Sequence, residues 1–345
     1  MANKNMILKT DRFDDNRIFI SLELLTQCNI RCSYCYIFQN SENKDILAAN
    51  DFRDNIQHQK NLAILDALKS VKSKIHLFIL GGEPTIYKKL EEIISKAYEI
   101  PDIIVEIITN GKKLEDLTFI NRFNKYKDIK FTVSLHWEYL DDINYIKIFK
   151  NLDILQNDNF DRERFILYFL LPKNFEDFIK IQEKFDVIRV AQEIKKKNTV
   201  YLNIVDSFKE ENLIENIKNY TEFFSENGCL SLFEYDFMTL LEKNKKFKIN
   251  RHKFMKVMTE GKIKFTWCFF NNYLIDKNGF ISSTDCALLE NINANIFNMT
   301  SKEIQDFFIV NPVLCPFSKN KKCNCSIVPK RKIIIDEDCD NFLLS

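Results

Sequence analysis

Three cysteines, Cys28, Cys32 and Cys35, fall within eight residues of the stretch CNIRCSYCY. Three thiolates on one short loop can hold three corners of a cubane [4Fe-4S] cluster, whereas full ligation takes four. The iron left over keeps an open coordination position, which is what lets a bound metal take up a substrate or cofactor. A zinc site completed by a distant ligand, or three unrelated buried thiols, would also account for the spacing. Glycine gives a second signal. The chain has only six in 345 residues, and two of them, Gly81 and Gly82, are adjacent. Where glycine is that scarce, a pair marks backbone that cannot carry a Cβ.

These residues need elements to position them. Strand-like runs lie at Ile18–Leu24, His76–Leu80, Asp102–Thr109, Lys130–His136, Arg164–Leu171 and Thr199–Val205. Helix-like runs separate or follow them at Ile56–Ser70, Lys88–Tyr98, Leu114–Tyr126, Leu140–Leu155 and Phe175–Phe185. Six β-then-α units, with several strands apolar on both faces, predict an α/β fold with a parallel sheet covered by helices. The periodicity alone fits an open doubly wound sheet or a barrel. In either, the cysteine loop follows the first strand and opens at the carboxyl edge of the sheet, where such folds assemble their sites. After about residue 210 the alternation stops. A helical stretch, Glu211–Glu226, leads into a lysine-rich connection, and NYLIDKNGFISS reads as a hairpin turning at Asp276–Gly279.

Fifty basic residues against forty-nine acidic ones leave a formal net charge of +1, so there is no electrostatic case for a nucleic-acid partner. The N-terminal MANKNMILKT lacks the apolar run of a signal peptide, and no stretch reaches the length of a membrane span. The expectation is a cytoplasmic chain without membrane association. That compartment keeps thiols reduced, so ten cysteines point to metal or redox chemistry rather than to disulfides.

With C-x3-C-x2-C after the first strand and an aromatic, Tyr34, before the last cysteine, the chain resembles the radical SAM superfamily. Gly81-Gly82-Glu83-Pro84-Thr85 after the second strand is similar to that family's GGE motif, and Thr109-Asn110-Gly111 to the TNG found after the third. Ser134-Leu135-His136 ends the fourth strand, where the family places ribose and carboxylate contacts, with Ser134 the more specific match. The resemblance implies a partial (β/α)6 TIM-like barrel over about residues 18–206. It also implies a cluster on Cys28, Cys32 and Cys35, and S-adenosylmethionine (SAM) contacts from Tyr34, Gly81, Gly82, Glu83, Pro84, Asn110, Ser134 and His136. The chemistry implied is one-electron cleavage of SAM to a 5′-deoxyadenosyl radical that takes hydrogen from a substrate, with a flavodoxin- or ferredoxin-type electron donor.

Seven cysteines remain: Cys229, Cys268, Cys286, Cys315, Cys323, Cys325 and Cys339. Cys268 before the hairpin and Cys286 after it resemble the start of a SPASM/Twitch extension. Two features depart from that pattern: Gly279 to Cys286 is two residues longer than usual, and the distal cysteines lack the full SPASM run. Two auxiliary clusters would need eight thiols, so one is expected, on Cys268, Cys286, Cys315 and either Cys323 or Cys325. A structural zinc knot is the alternative. Cys229 reads as a small buried hydrophobe; in peptide epimerases of this branch a thiol returns hydrogen to the substrate radical, which is its sharper reading. The expected organisation is a barrel over 1–210, a helical connection over 211–260 and a small cysteine-rich auxiliary-cluster module over 261–345. The expected substrate is a ribosomally made peptide or protein side chain, modified by cross-linking, oxidation or epimerisation. The alternatives are radical dehydrogenation or rearrangement of a small molecule such as an amino sugar, and a non-catalytic iron-sulfur or zinc protein.

Overall fold

The computed structural model describes residues 6–9, 17–35, 51–126, 129–140, 145–156, 165–172, 174–196, 199–204, 213–229, 232, 237–242, 245–250, 265–270, 272–282, 294–308, 311–313 and 333–335. Two compact units divide the chain. One takes in the described residues of Leu22–Leu62 and Leu77–Tyr235, the other those of Met1–Ser21, Ala63–His76 and Asp236–Ser345.

Strand β1 is Met6–Lys9, and six further strands run β2 (Arg17–Leu25), β3 (Lys74–Gly81), β4 (Ile104–Thr109), β5 (Lys130–His136), β6 (Phe165–Leu171) and β7 (Thr199–Ile204). These six lie side by side in strict chain order. The pairs β4·β5, β5·β6 and β6·β7 are parallel, with Thr109 opposite Val133, His136 opposite Leu170 and Leu170 opposite Asn203. A doubly wound sheet reverses its strand order at a switch point. Strict sequential order is instead the winding of a (β/α) barrel, and six strands make a partial one. The residues of β3 from Ile75 to Ile79 are all buried, as is nearly all of β6, which explains their apolar runs, interrupted in β3 only by the buried His76.

Helices α1 (Asp51–Leu68), α2 (Leu90–Ala97), α3 (Leu117–Asn121), α4 (Tyr145–Gln156), α5 (Phe175–Phe185), α6 (Val187–Lys195) and α7 (Leu213–Glu226) accompany the strands. Helix α2 buries Leu90, Ile93, Ile94 and Ala97, an i, i+3, i+4, i+7 stripe. Rings from α5 and α7, including Phe178, Tyr220 and Phe224, pack into one cluster.

Two helices differ from expectation. Leu114–Tyr126 is not one helix: a 3-10 turn, Lys112–Glu115, precedes the short α3. Asp116 sits between them in extended backbone and accepts a hydrogen bond from the Thr118 N–H, so a new helix starts there. The chain also turns back into helix after Phe185. Asp186 takes the left-handed conformation at φ 45°, closing α5 and opening α6.

In the other unit, β1 pairs with β8 (Phe237–Glu242), and β8 forms an antiparallel hairpin with β9 (Lys245–Asn250). Helix occupies only part of the 211–260 connection, since its lysine-rich part pairs as strand. Strand β10 (Phe265–Phe270) pairs with two short strands, β14 (Asn311–Val313) and β15 (Ile333–Ile335). The expected hairpin is present as β11 (Asn272–Ile275) and β12 (Phe280–Ser282), followed by β13 (Ala294–Asn295) and α8 (Ser301–Phe307). Gly279 turns it at φ 82°, and a Cβ there would lie 2.6 Å from the Phe297 ring. No helix among the described residues is long and apolar enough to cross a membrane.

Candidate active site

The cysteine loop starts where β2 ends, and the glycine pair holds it. The Gly82 N–H donates to the Leu25 carbonyl and the Glu83 N–H to the Gln27 carbonyl, both at 2.7 Å. A Cβ on Gly81 would stand 2.1 Å from the Leu25 oxygen, and one on Gly82 1.9 Å from the Gln27 oxygen. The glycines therefore permit the end of β3 to lie directly on the backbone that leads into Cys28.

Glu83 is buried and joins three elements. Its carboxylate accepts from the Thr85 N–H at 3.0 Å, the Thr109 hydroxyl at 2.7 Å and the Asn110 N–H at 2.7 Å. The Thr85 hydroxyl donates to it as well. Burial pushes the Glu83 carboxyl above its ordinary value, against the pull of these donors. Pro84, also buried, opens the 3-10 turn Pro84–Ile86 directly after it.

Asn110 carries the connection on to the loop. Its Nδ2 donates to Asn29 Oδ1 at 2.7 Å and lies 3.8 Å from Cys28 Sγ, while its Oδ1 accepts from the Lys112 N–H. Gly111 follows at φ 81°, and a Cβ there would meet the Val133 side chain at 2.7 Å. Ser134, half-buried, points to the same face of β5 as His136, two residues on.

His136 closes the site from β5. Its Nδ1 lies 2.8 Å from the Tyr34 hydroxyl and 3.1 Å from Cys32 Sγ, and its ring stacks on Tyr34. Burial pulls its pKa down to about 4, so the imidazole is neutral near pH 7 and its tautomer sets whether Nδ1 donates to or accepts from the Tyr34 hydroxyl. The His136 N–H donates in turn to the hydroxyl of Tyr145, the first residue of α4. Three residues that the motifs did not flag belong to the same group: Trp137 stacks on Tyr34, Glu138 accepts from Ser33, and Tyr139 accepts from the Arg31 N–H. Only their position directly after the Ser-Leu-His strand end pointed to them.

The three thiols suit an iron-sulfur cluster by their chemistry. Burial raises Cys28 and pushes Cys32 up to about 12, and each would be raised further by a thiolate at Cys35. Ionising three such neighbours requires a counter-charge, which a bound metal centre supplies. Among the described residues no three His, Cys, Asp or Glu side chains stand in ready ligand geometry; Cys32 instead faces His136. Of the other expected sites, Cys229 is buried beyond α7, with its N–H on the Phe224 carbonyl. Cys268 lies on β10 opposite Val313. Cys286, Cys315, Cys323, Cys325 and Cys339 fall outside the described residues.

Residues 22–185 match the family model of the radical SAM superfamily. That stretch resembles a radical SAM domain. It contains the cysteine loop, the glycine pair and its glutamate, Asn110, Ser134 and His136. Two curated proteins align with parts of the chain. The S-adenosylmethionine-dependent nucleotide dehydratase of Fibrobacter sp. (strain UWH6) is 31% identical over 99 residues, 28% of this chain and 28% of that protein. The probable GTP 3′,8-cyclase of Sulfolobus acidocaldarius is 29% identical over 120 residues, 34% of each. The chain thus spans about a third or less of the length of these relatives. Among solved structures, Streptococcus suis SuiB bound to S-adenosylmethionine has a TM-score of 0.48 at 14% identity, covering 91% of this chain and 72% of that one. BtrN in complex with AdoMet and 2-DOIA gives 0.41 at 17%, covering 92% and 95%.

Proposed function

We propose that this chain is a radical SAM enzyme in which Cys28, Cys32 and Cys35 hold a [4Fe-4S] cluster with one open iron. When bound, that cluster supplies the electron that cleaves SAM to methionine and a 5′-deoxyadenosyl radical. The observation that carries the reading is the convergence of the Glu83 hub, Asn110 and His136 on one cysteine loop. In this reading Asn110 orients Cys28, while Tyr34 and the neutral His136 wall the loop on the β5 side. Ser134 and the residues around the glycine pair contribute the SAM contacts. An electron carrier without catalysis would need no such scaffold at the strand ends. A flavodoxin- or ferredoxin-type protein delivers the electron.

The substrate in this reading is a side chain of a ribosomally made peptide or protein, which is oxidised, cross-linked or epimerised. The cysteine pattern around the β11–β12 hairpin supports it, with one auxiliary cluster on Cys268, Cys286, Cys315 and Cys323 or Cys325. In its epimerase version Cys229 returns the hydrogen atom, and a Cys229→Ala variant that still epimerises with solvent hydrogen incorporated would end that role. A second reading, small-molecule chemistry, is favoured by the activities of the relatives, a nucleotide dehydratase and a probable GTP cyclase. Anaerobic assays of the reduced, reconstituted chain test both. Release of 5′-deoxyadenosine is expected, accelerated by the substrate peptide and not by nucleotides. Acceleration by nucleotides alone selects the second reading, and no release at all sinks the radical SAM assignment.

A further inference from the structure

Four consecutive residues of the cysteine loop, Arg31 to Tyr34, are each met by the last residue of β5 or the segment that follows it. The Arg31 N–H donates to the Tyr139 hydroxyl at 2.7 Å, and the Ser33 N–H to Glu138 Oε2 at 2.8 Å. The Ser33 hydroxyl donates to the second Glu138 oxygen. Cys32 and Tyr34 face His136. Ser33 lies between two of the three thiols, so its amide is one that could otherwise donate to the sulfurs of a cluster. Hydrogen bonds to the sulfurs and local positive charge raise a cluster's reduction potential, whereas loss of such donors and added negative charge lower it.

We propose that Glu138 is a positioning residue for the cysteine loop and sets a low reduction potential for the cluster held there. It acts in two ways of the same sign. Its carboxylate occupies the Ser33 N–H and hydroxyl, which fixes the loop between Cys32 and Cys35 and withdraws both donors from the cluster. Its charge also bears on Cys32 and Tyr34. Charge-assisted bonds of this kind are stronger than neutral ones, so the grip survives the partial exposure of the loop. A low potential suits a centre that must reduce a sulfonium. This inference rests on the radical SAM reading above and adds to it a residue outside the motifs.

The test is an EPR-monitored redox titration of the full, reconstituted chain, following the signal that SAM perturbs. Glu138→Gln keeps an oxygen for the Ser33 N–H and removes the charge. It should retain wild-type iron and show a more positive midpoint. Glu138→Ala removes both and should shift the midpoint further and lose loop iron to a chelator several-fold faster. An unchanged midpoint in the Gln variant overturns the proposal while leaving the radical SAM reading intact, as does loss of iron with no shift in the signal that remains. A wild-type signal that does not respond to SAM overturns the underlying reading, and the proposal with it.

Discussion

Glu83 binds the ends of three strands without touching a cysteine. Its side chain satisfies the buried N–H groups of Thr85 and Asn110, and an unpaired buried donor costs about 1–3 kcal/mol. Glu83→Ala should therefore lose about 2–6 kcal/mol in chemical denaturation, counting two such donors. The pH dependence has a definite sign. Since burial raises the Glu83 carboxyl, its contribution to stability is fully present below the ordinary value of 4.5 and is lost as pH rises through the folded-state value. The advantage of wild type over Glu83→Gln should shrink over that rise, and an advantage that grows with pH would contradict the assignment. Gly82→Ala drives a Cβ to 1.9 Å from the Gln27 oxygen, so it should purify with less than half the loop iron of wild type. At this scale the motifs were legible because each follows a strand end. The close approach implied by the glycine pair is made to the chain's own loop. The Trp137–Tyr139 segment was not legible, since its bonds cross more than 100 positions of sequence and leave no local pattern.

Elements were read well where burial dictates period. The six strands in chain order, the last four of them parallel, and the apolar stripe of α2 follow from it. Helix ends depended on single residues, Asp116 through its side-chain cap and Asp186 through its left-handed backbone. The β8–β9 hairpin was missed because β8 is a largely apolar run without alternation and the alternating Lys246-Phe247-Lys248-Ile249 of β9 sits within a lysine-rich stretch read as a connection. Packing between α5 and α7 centres on Phe178, which is fully buried among aromatic rings. Phe178→Ala should cost about 3–5 kcal/mol, seen as a lower denaturation midpoint. In the hairpin, Gly279→Ala combines a left-handed backbone with a clash against Phe297 and should cost about 1–3 kcal/mol. A neutral effect there would show that the turn is not built as described.

Across the whole molecule, the cysteine loop and every partner described for it lie in one compact unit, Leu22–Leu62 with Leu77–Tyr235. The cysteines proposed for the auxiliary centre fall within Asp236–Ser345, in the other. Loss of the loop thiols should therefore remove one centre and spare the other. The most direct measurement is anaerobic iron content with EPR of the reduced protein, with and without SAM, on wild type and on the Cys28→Ala/Cys32→Ala/Cys35→Ala variant. The account predicts about eight irons in wild type and about four in the variant, with a SAM-perturbed signal in wild type only. Equal iron in the two proteins, or a wild-type signal indifferent to SAM, would contradict it.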